Sequence, residues 1–375
     1  MTATPSEPGP VSKVPASAAP LLARLGLDLP IVQAPMAGVS TPAMAAAVSN
    51  AGALGSLGLG ATNAAGARAM IDAFCALSTR ALNVNVFCHT PAVPDAARER
   101  AWIERLRPDF ERVGAASPAA LHEIYTSFVQ DDAMLALLLA ARPRVVSFHF
   151  GLPPASRVRA LKDAGIILFG SATSLTEAEA LADAGVDAIV AQGYEAGGHR
   201  GVFDPDAEDN RLGTLALTRL LVTKVDRPVI AAGGIMDGAG IAAALRLGAI
   251  AAQLGTAFVA CPESQADEGY RAALASEAAH HTIMTRAISG RLARALPNRF
   301  TALGRDVAPH DVPAYPIAYD AGKALHAAAK ARGDFGYGAQ WAGQGAPLAR
   351  ALPAGELVAA LEREIREATG PHSIR

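Results

Sequence analysis

The sequence predicts a closed (β/α)8 TIM barrel, an α/β fold, with a smaller, mainly helical cap over one end. Three observations carry the prediction. Eight short apolar runs alternate with segments rich in Ala and Leu. The runs lack the in-out alternation of a strand with one wet face, as strands covered on both sides do. No GxGxxG follows the first run, which disfavours an open doubly wound sheet. Right-handed βα repeats close into a barrel in which every strand has two neighbours and no edge is left bare.

The first strand is expected at Pro30–Ala34, followed by a loop and a helix over Pro42–Ser49. A strand at Leu54–Leu57, a helix over Ala64–Leu77 and a strand at Leu82–Phe87 come next. The fourth strand, Arg144–His149, leads to a helix over Ala155–Ala164. Strands at Ile166–Phe169, Asp187–Ala191, Pro228–Ala232 and Ala249–Leu254 complete the eight, with helices near 175–184, 213–223 and 238–246. The barrel thus takes residues 21–90 and 141–262.

Two segments break this rhythm. Residues 91–140 carry a charged helix over Pro94–Arg107 and a second around Leu121–Ala141, and residues 263–345 read as helical with Gly and Pro punctuation. Both leave from C-terminal ends of strands, the face on which barrel enzymes build their sites, so together they are expected to form a cap or substrate domain. In residues 346–375 the helix Gly355–Ala368 puts Leu357, Leu361 and Ile365 on one face, which suits packing on the outside of the barrel. Residues 1–20, rich in Ala, Pro and Ser, read as a disordered tail, lacking the basic start and apolar core of a signal peptide.

Composition narrows the partners. With 375 residues, 51% hydrophobic and 18% charged, the chain can bury a large core. The 33 Lys plus Arg nearly balance 35 Asp plus Glu, so there is no electrostatic footprint for nucleic acid or an anionic membrane. No apolar run reaches the roughly 18 residues that cross a bilayer. Cys75, Cys88 and Cys261 are too few and scattered for a disulfide framework or a zinc site, which fits a reducing cytoplasm and no metal. A small-molecule ligand on a monomer or homodimer is the expectation.

The polar residues at strand ends say where chemistry sits. Asn85 belongs to the third strand, His149 closes the fourth and Gln192 the sixth; Gly233–Gly234 follow the seventh and Gly255–Thr256 the eighth. All converge on one mouth. After the sixth strand a glycine-dense loop, with Gly193, Gly197, Gly198 and Gly201, delivers His199. Glycines there let backbone N–H groups approach a flat or anionic ligand. The glycines after strands seven and eight suit a phosphate, and flavin mononucleotide (FMN) fits, as does any sugar phosphate; a Gly-Gly pair also serves close packing.

Gln33-Ala-Pro-Met-Ala-Gly-Val-Ser-Thr-Pro42 with Ala45-Ala-Ala-Val-Ser-Asn-Ala-Gly52 resembles the opening motif of nitronate monooxygenases, formerly called 2-nitropropane dioxygenases. Val146–Gly151, Gln192–Gly201, Ala231–Ile235 and Gln253–Thr256 match the family's later motifs in order and spacing, and the resemblance spans residues 22 to about 362. Within the family the chain looks like the class I branch. That resemblance implies an FMN-binding barrel that oxidises alkyl nitronates, notably propionate 3-nitronate, with molecular oxygen, a detoxification. Carried over residue by residue, the flavin contacts would be Ala34, Pro35, Met36, Asn85, Gln192, Gly197, Gly233, Gly234, Gln253, Leu254, Gly255 and Thr256.

His199 is the family's candidate base and His149 the second catalytic histidine. Removing a proton beside a nitro group needs an acceptor with a pKa near neutrality, which imidazole has unperturbed. A nitronate, already an anion, asks only to be positioned. For substrate, the resemblance points to Tyr125, Tyr315, Tyr319 and Lys323, with Ser289 lining the same cavity. Pro316 suits the first turn of a helix running to about Ala331, on which Tyr319 and Lys323 share a face at i and i+4. Trp341–Gly345 recurs in the branch without a physical role that the sequence explains, while His280, His281 and His372 read as solvated surface. Related flavin barrels reduce quinones or enoyl thioesters with NAD(P)H, and a flavin-binding sensor without turnover is a further alternative.

Overall fold

The computed structural model describes residues 18–370. Its centre is a barrel of eight parallel strands: Ile31–Gln33, Gly55–Gly58, Leu82–Phe87, Val145–His149, Ile167–Ala172, Ala188–Gln192, Val229–Ala232 and Ala251–Leu254. The last strand pairs with the first, Ile31 opposite Ala252. First and second meet at one parallel bridge between Val32 and Leu54, where Leu54 N donates to Ile31 O and Gln33 N to Leu54 O. That bridge closes the barrel and leaves no open edge.

Where a cap is written in the sequence, helix starts fall where the pattern puts them. Asn63 accepts from Gly66 N ahead of Ala64–Leu77, Ser174 from Glu177 N ahead of Leu175–Asp183, and Asp237 from Gly240 N ahead of Gly238–Arg246. The barrel interior is filled by Val32, Leu54, Val145, Ile167, Phe169, Val190 and Ile230. Leu21 and Leu25 of the helix Ala18–Leu25 join that cluster. Residues 18–20, expected in the tail, therefore begin a helix; residues 1–17 lie outside the described residues, as does His372.

The C-terminal helix is Ala354–Thr369, and its Leu357, Val358 and Leu361 are buried against Met44, Ile241 and Phe258. Burying three aliphatic side chains contributes about 5–8 kcal/mol before the entropy of ordering the helix is counted. The approach is close: a Cβ on Gly238 would lie 2.3 Å from Glu364 Cβ.

Both inserted segments differ from the helical expectation. The first helix is Ala96–Arg112, started by Asp95, whose side chain accepts from Ala97 and Arg98 N. The second begins only at Asp132, where Asp131 caps it, so residues 121–131, Tyr125 included, are irregular. Between 263 and 345 the chain forms helices at Glu268–Leu274, Arg299–Leu303 and Ile317–Lys330, but also strands Ile283–Thr285 and Ala293–Ala295. These two pair antiparallel, and the second pairs with Gly198–His199. Trp102, Leu106 and Phe110 from the first segment bury themselves with Ile317, Ala321, Leu325 and Tyr337 from the second, so the two share one apolar core.

Candidate active site

A cleft of about 510 Å³ opens at the C-terminal ends of the barrel strands, walled by the loops of the barrel on one side and by the helix Ile317–Lys330 on the other. Ala34, Pro35, Met36, Asn85, Gln192, Gly197, Gly233, Gly234, Gln253, Gly255 and Thr256 all line it. So do His149, His199, Tyr125, Tyr315, Tyr319 and Lys323. Two expected residues do not. Leu254 turns its side chain into the core beside Ile31 and Phe258, because the residue between two lining positions on a strand faces the other way, and only its carbonyl bears on the site by accepting from Ala34 N at 2.8 Å. Ser289 is 1% exposed and sits behind His199.

On the barrel side the wall offers backbone. Buried Gln33 holds the Ala34–Ser40 loop: its Nε2 donates to Ser40 Oγ at 2.8 Å and its Oε1 accepts from Ser56 N at 2.9 Å. Met36 N donates to Ser40 Oγ at 3.0 Å. Gly233 and Gly234 take φ of 122° and 69°, a conformation that only glycine adopts without strain. The N–H groups of Gly234 and Gly255 find no acceptor among the described residues. A Cβ on Gly255 would meet nothing closer than Ala34 Cβ at 3.4 Å, so the cradle is open. Two orphan donors facing a cleft, with a flat strip at Ala34–Met36 opposite, fit a phosphate and a planar ring. Asn85 Nδ2 is taken by Ser147 O and Oγ, both at 3.0 Å, which leaves Oδ1 for the cleft.

Trp341–Gly345 now acquires a role. Gly343 N donates to Thr256 Oγ1 at 3.0 Å, and Gln344 N to Glu195 O at 2.9 Å. A Cβ on Gly197 would stand 2.4 Å from Gly343 N, so these two stretches touch backbone to backbone. Trp341 lies against His199, ring centres 5.0 Å apart. The stretch seals one end of the cleft.

His199 is held by a sheet and not by a loop. It sits opposite Ala293, and its carbonyl accepts from Gln192 Nε2 at 3.0 Å and from His149 Nε2 at 3.3 Å. Because a carbonyl only accepts, the proton of His149 is on Nε2. Gln192 Oε1 accepts from Gly201 N at 2.7 Å, so this cleft-lining amide is fixed to the loop at both its ends. Arg200 locks the base of the sheet, donating to Gln192 O and forking onto Asp209 at 2.7 and 3.0 Å.

The His199 Nε2 lies 2.8 Å from Ser289 Oγ, which also lies 3.2 Å from Arg291 O. The Ser289 hydroxyl thus engages Nε2, while Nδ1 has no hydrogen-bond partner among the described residues. Burial, then His149 and then Arg291, pushes the His199 pKa down to about 3. Burial and Arg291 likewise take His149 to about 4. Both rings are neutral near pH 7.

The residues from 19 to 364 match the family model for nitronate monooxygenase. The chain belongs to the nitronate monooxygenase family. It is similar to the nitronate monooxygenase of Paraburkholderia phytofirmans, 66% identical over 347 residues that cover 92% of this chain and 95% of that relative. The nitronate monooxygenase of Pseudomonas aeruginosa is 55% identical over 344 residues, covering 91% of this chain and 97% of its own. Among solved structures, the nitroalkane oxidase from Streptomyces ansochromogenes superposes with a TM-score of 0.84 at 42% identity, covering 92% of this chain and 98% of that one. The protein is accordingly a flavin-dependent oxidoreductase of a family that oxidises nitronates.

Facing the barrel loops, the cap presents phenols and one ammonium. Tyr125 and Tyr319 meet edge to face at 5.9 Å, and Lys323 Nζ stands 4.9 Å above the Tyr125 ring and 5.6 Å from that of Tyr319. Burial lowers the Lys323 pKa and Asp320 pulls it back. Tyr315 OH is buried without a partner. His280 and His281 are exposed, as expected.

Sequence reasoning missed Phe150 and Arg291. Phe150 is held at φ 72°, a strained conformation for an aromatic residue, with its ring 4.4 Å from that of His149 and 5.7 Å from that of His199. Arg291 lies behind it, its guanidinium 4.2 Å from the Phe150 ring centre. The fourth-strand motif Val146–Gly151 contains Phe150 and marked its neighbourhood; no periodicity or spacing flags Arg291.

Proposed function

We propose that the cleft binds FMN and that the enzyme oxidises small anionic nitronates, propionate 3-nitronate among them, with molecular oxygen. When bound, a flavin accepts electrons from the nitronate and passes them on to oxygen. The observation that carries the reading is the division of the cleft: orphan backbone donors at Gly234 and Gly255 on one side, and on the other two neutral imidazoles, three phenols and Lys323. The first set suits a phosphate. The second suits an anion held by hydrogen bonds and by one ammonium.

Ala34, Pro35 and Met36 would lie along the ring system, with Asn85 Oδ1 and Gln253 as polar contacts at its edge. Ser289 engages His199 Nε2, so Nδ1 is the atom left to accept a proton or bond to substrate. An imidazole with a pKa of about 3 is a weak base in the ligand-free site. A bound anion raises it by favouring the charged ring, yet abstraction from a neutral nitroalkane starts uphill. Preformed nitronates are therefore the better substrates.

The test is anaerobic mixing of the yellow protein with propionate 3-nitronate, NADH and NADPH in separate runs. Bleaching by the nitronate, followed by recovery of colour on admitting oxygen, is expected, and heat-released cofactor should chromatograph as FMN. Bleaching by NADH or NADPH alone would favour a quinone or enoyl-thioester reductase. Recovery of FAD would overturn the cofactor assignment.

A further inference from the structure

Arg291 is a buried cation that forms no ion pair among the described residues. It is 3% exposed, and its Nη2 donates to the carbonyls of Val202 and Phe203. Nε has no partner, and no carboxylate oxygen lies within 4.0 Å of the guanidinium among the described residues. Burying a cation is unfavourable unless something compensates it, and two carbonyl dipoles with one aromatic face compensate only in part. The carboxylates of Glu177 and Asp204 act on it only from beyond ion-pair distance, and Glu177 is tied down by accepting from Thr173 N and Oγ1 and from Phe203 N.

With Tyr315 beside it, the Phe150 ring lies against this cation and against both histidines. Its ring centre is 4.2 Å from the guanidinium, 4.4 Å from the His149 ring and 5.7 Å from the His199 ring. A benzene ring carries no net charge and weakens the cation's field only in part. We propose that Arg291 is a specificity-determining residue: its charge, neutralised by no ion pair and felt past Phe150, favours an anionic ligand beside His149 and His199 over a neutral one of the same shape, and adds to burial in opposing a charge on either imidazole. The inference rests on the nitronate reading for the identity of the anion, and on geometry alone for the field at the histidines.

The size follows from Coulomb's law. The guanidinium is at most about 10 Å from the His199 ring centre, and at an effective dielectric of about 20 a unit charge there changes an equilibrium about tenfold. Other charges share the space. Around His199 these are His149, Tyr315, Tyr319, Lys323 and Arg200; around Arg291 they are Arg286, Glu177, Asp204, His89 and Tyr315. Of the cations, Lys323 opens on the cleft, whereas Arg291 is wholly buried behind its wall.

The experiment compares wild type, Arg291→Met and Arg291→Lys as flavin-containing enzyme with ligands that differ by one proton. Ethyl nitronate and nitroethane interconvert slowly enough to be supplied separately, the first as substrate and the second as competitor. Arg291→Met should weaken ethyl nitronate about tenfold and leave the nitroethane inhibition constant unchanged. Arg291→Lys, which keeps the charge, should retain most of the preference. In parallel, nitrogen NMR of the histidine rings should show the His149 and His199 titrations moving to higher pH in the Met variant and little in the Lys variant. Should Met fail to fold, Arg291→Gln keeps donors for the Val202 and Phe203 carbonyls without the charge and is read the same way. Equal loss on both ligands, a Lys variant as poor as Met, or unmoved histidine titrations would each overturn the proposal. Because the titrations need no substrate, a shift there with no nitronate turnover would refute the proposed reaction and leave the field intact.

Discussion

Replacing Lys323 by Met separates recognition of a distal carboxylate from everything else the cap does. Nζ stands over two phenol rings, 4.9 Å from Tyr125 and 5.6 Å from Tyr319, on the cleft wall, where the lysine is exposed. Met keeps most of the apolar stem and removes the charge. The two cation–π contacts forfeited are each worth about 0.5–1 kcal/mol, while the desolvation of the ammonium is recovered, so the melting temperature should change little. A charge-assisted hydrogen bond to a carboxylate is worth about 1.5–3 kcal/mol, or about tenfold to a hundredfold in binding. Steady-state oxygen consumption at matched flavin content is the assay. kcat/KM for propionate 3-nitronate should fall by that factor and kcat/KM for ethyl nitronate, which lacks the carboxylate, should hold. A parallel fall on both substrates would place Lys323 at the nitronate group or in the support of the cap. No change on either would make it a surface lysine and refute the assignment.

Three further outcomes are expected. His199→Asn should cut any turnover of neutral nitroalkanes by about a hundredfold to ten-thousandfold and that of preformed nitronates by less, as measured on paired substrates; equal losses would mean that the ring only positions. In Gly197→Ala the new methyl would stand 2.4 Å from Gly343 N, against backbone on both sides, so about 1–3 kcal/mol of stability and much of the bound flavin should be lost, read as melting temperature and flavin-to-protein ratio. Stability should also fall with acid: His89, His149 and His199 have folded pKa values lowered from 6.5 to about 4, 4 and 3, so below pH 6.5 the unfolded chain takes up protons that the folded one refuses. The stabilisation is complete above pH 6.5 and declines towards pH 4 by up to about 1.4 kcal/mol per pH unit for each histidine. Urea unfolding at pH 7.5, 6.5 and 5.5 measures it, and His89→Gln should flatten the slope; a slope unaltered by that change would mean that His89 is not held neutral.

The barrel was legible in the sequence because its determinants are local or repetitive. Strands buried on both faces must be unbroken apolar runs, and capping residues such as Asn63, Ser174 and Asp237 mark helix starts by hydrogen bonds that span three residues. Glycines at strand ends, His149 and His199 announced the mouth, since strand C-termini of a barrel converge wherever the intervening helices run. What the sequence left undetermined depends on pairings between distant segments. Gly198–His199 is too short to show a period, and becomes a strand only because Ala293–Ala295 lies beside it. Ser289 cannot be told from a cavity residue until the turn before that strand is folded back behind His199. Trp341–Gly345 means nothing until its backbone meets Gly197 and Thr256. Arg291 looks like any loop arginine, and its lack of an ion-pair partner among the described residues is a property of the packed fold: no stretch of chain encodes what does not come near.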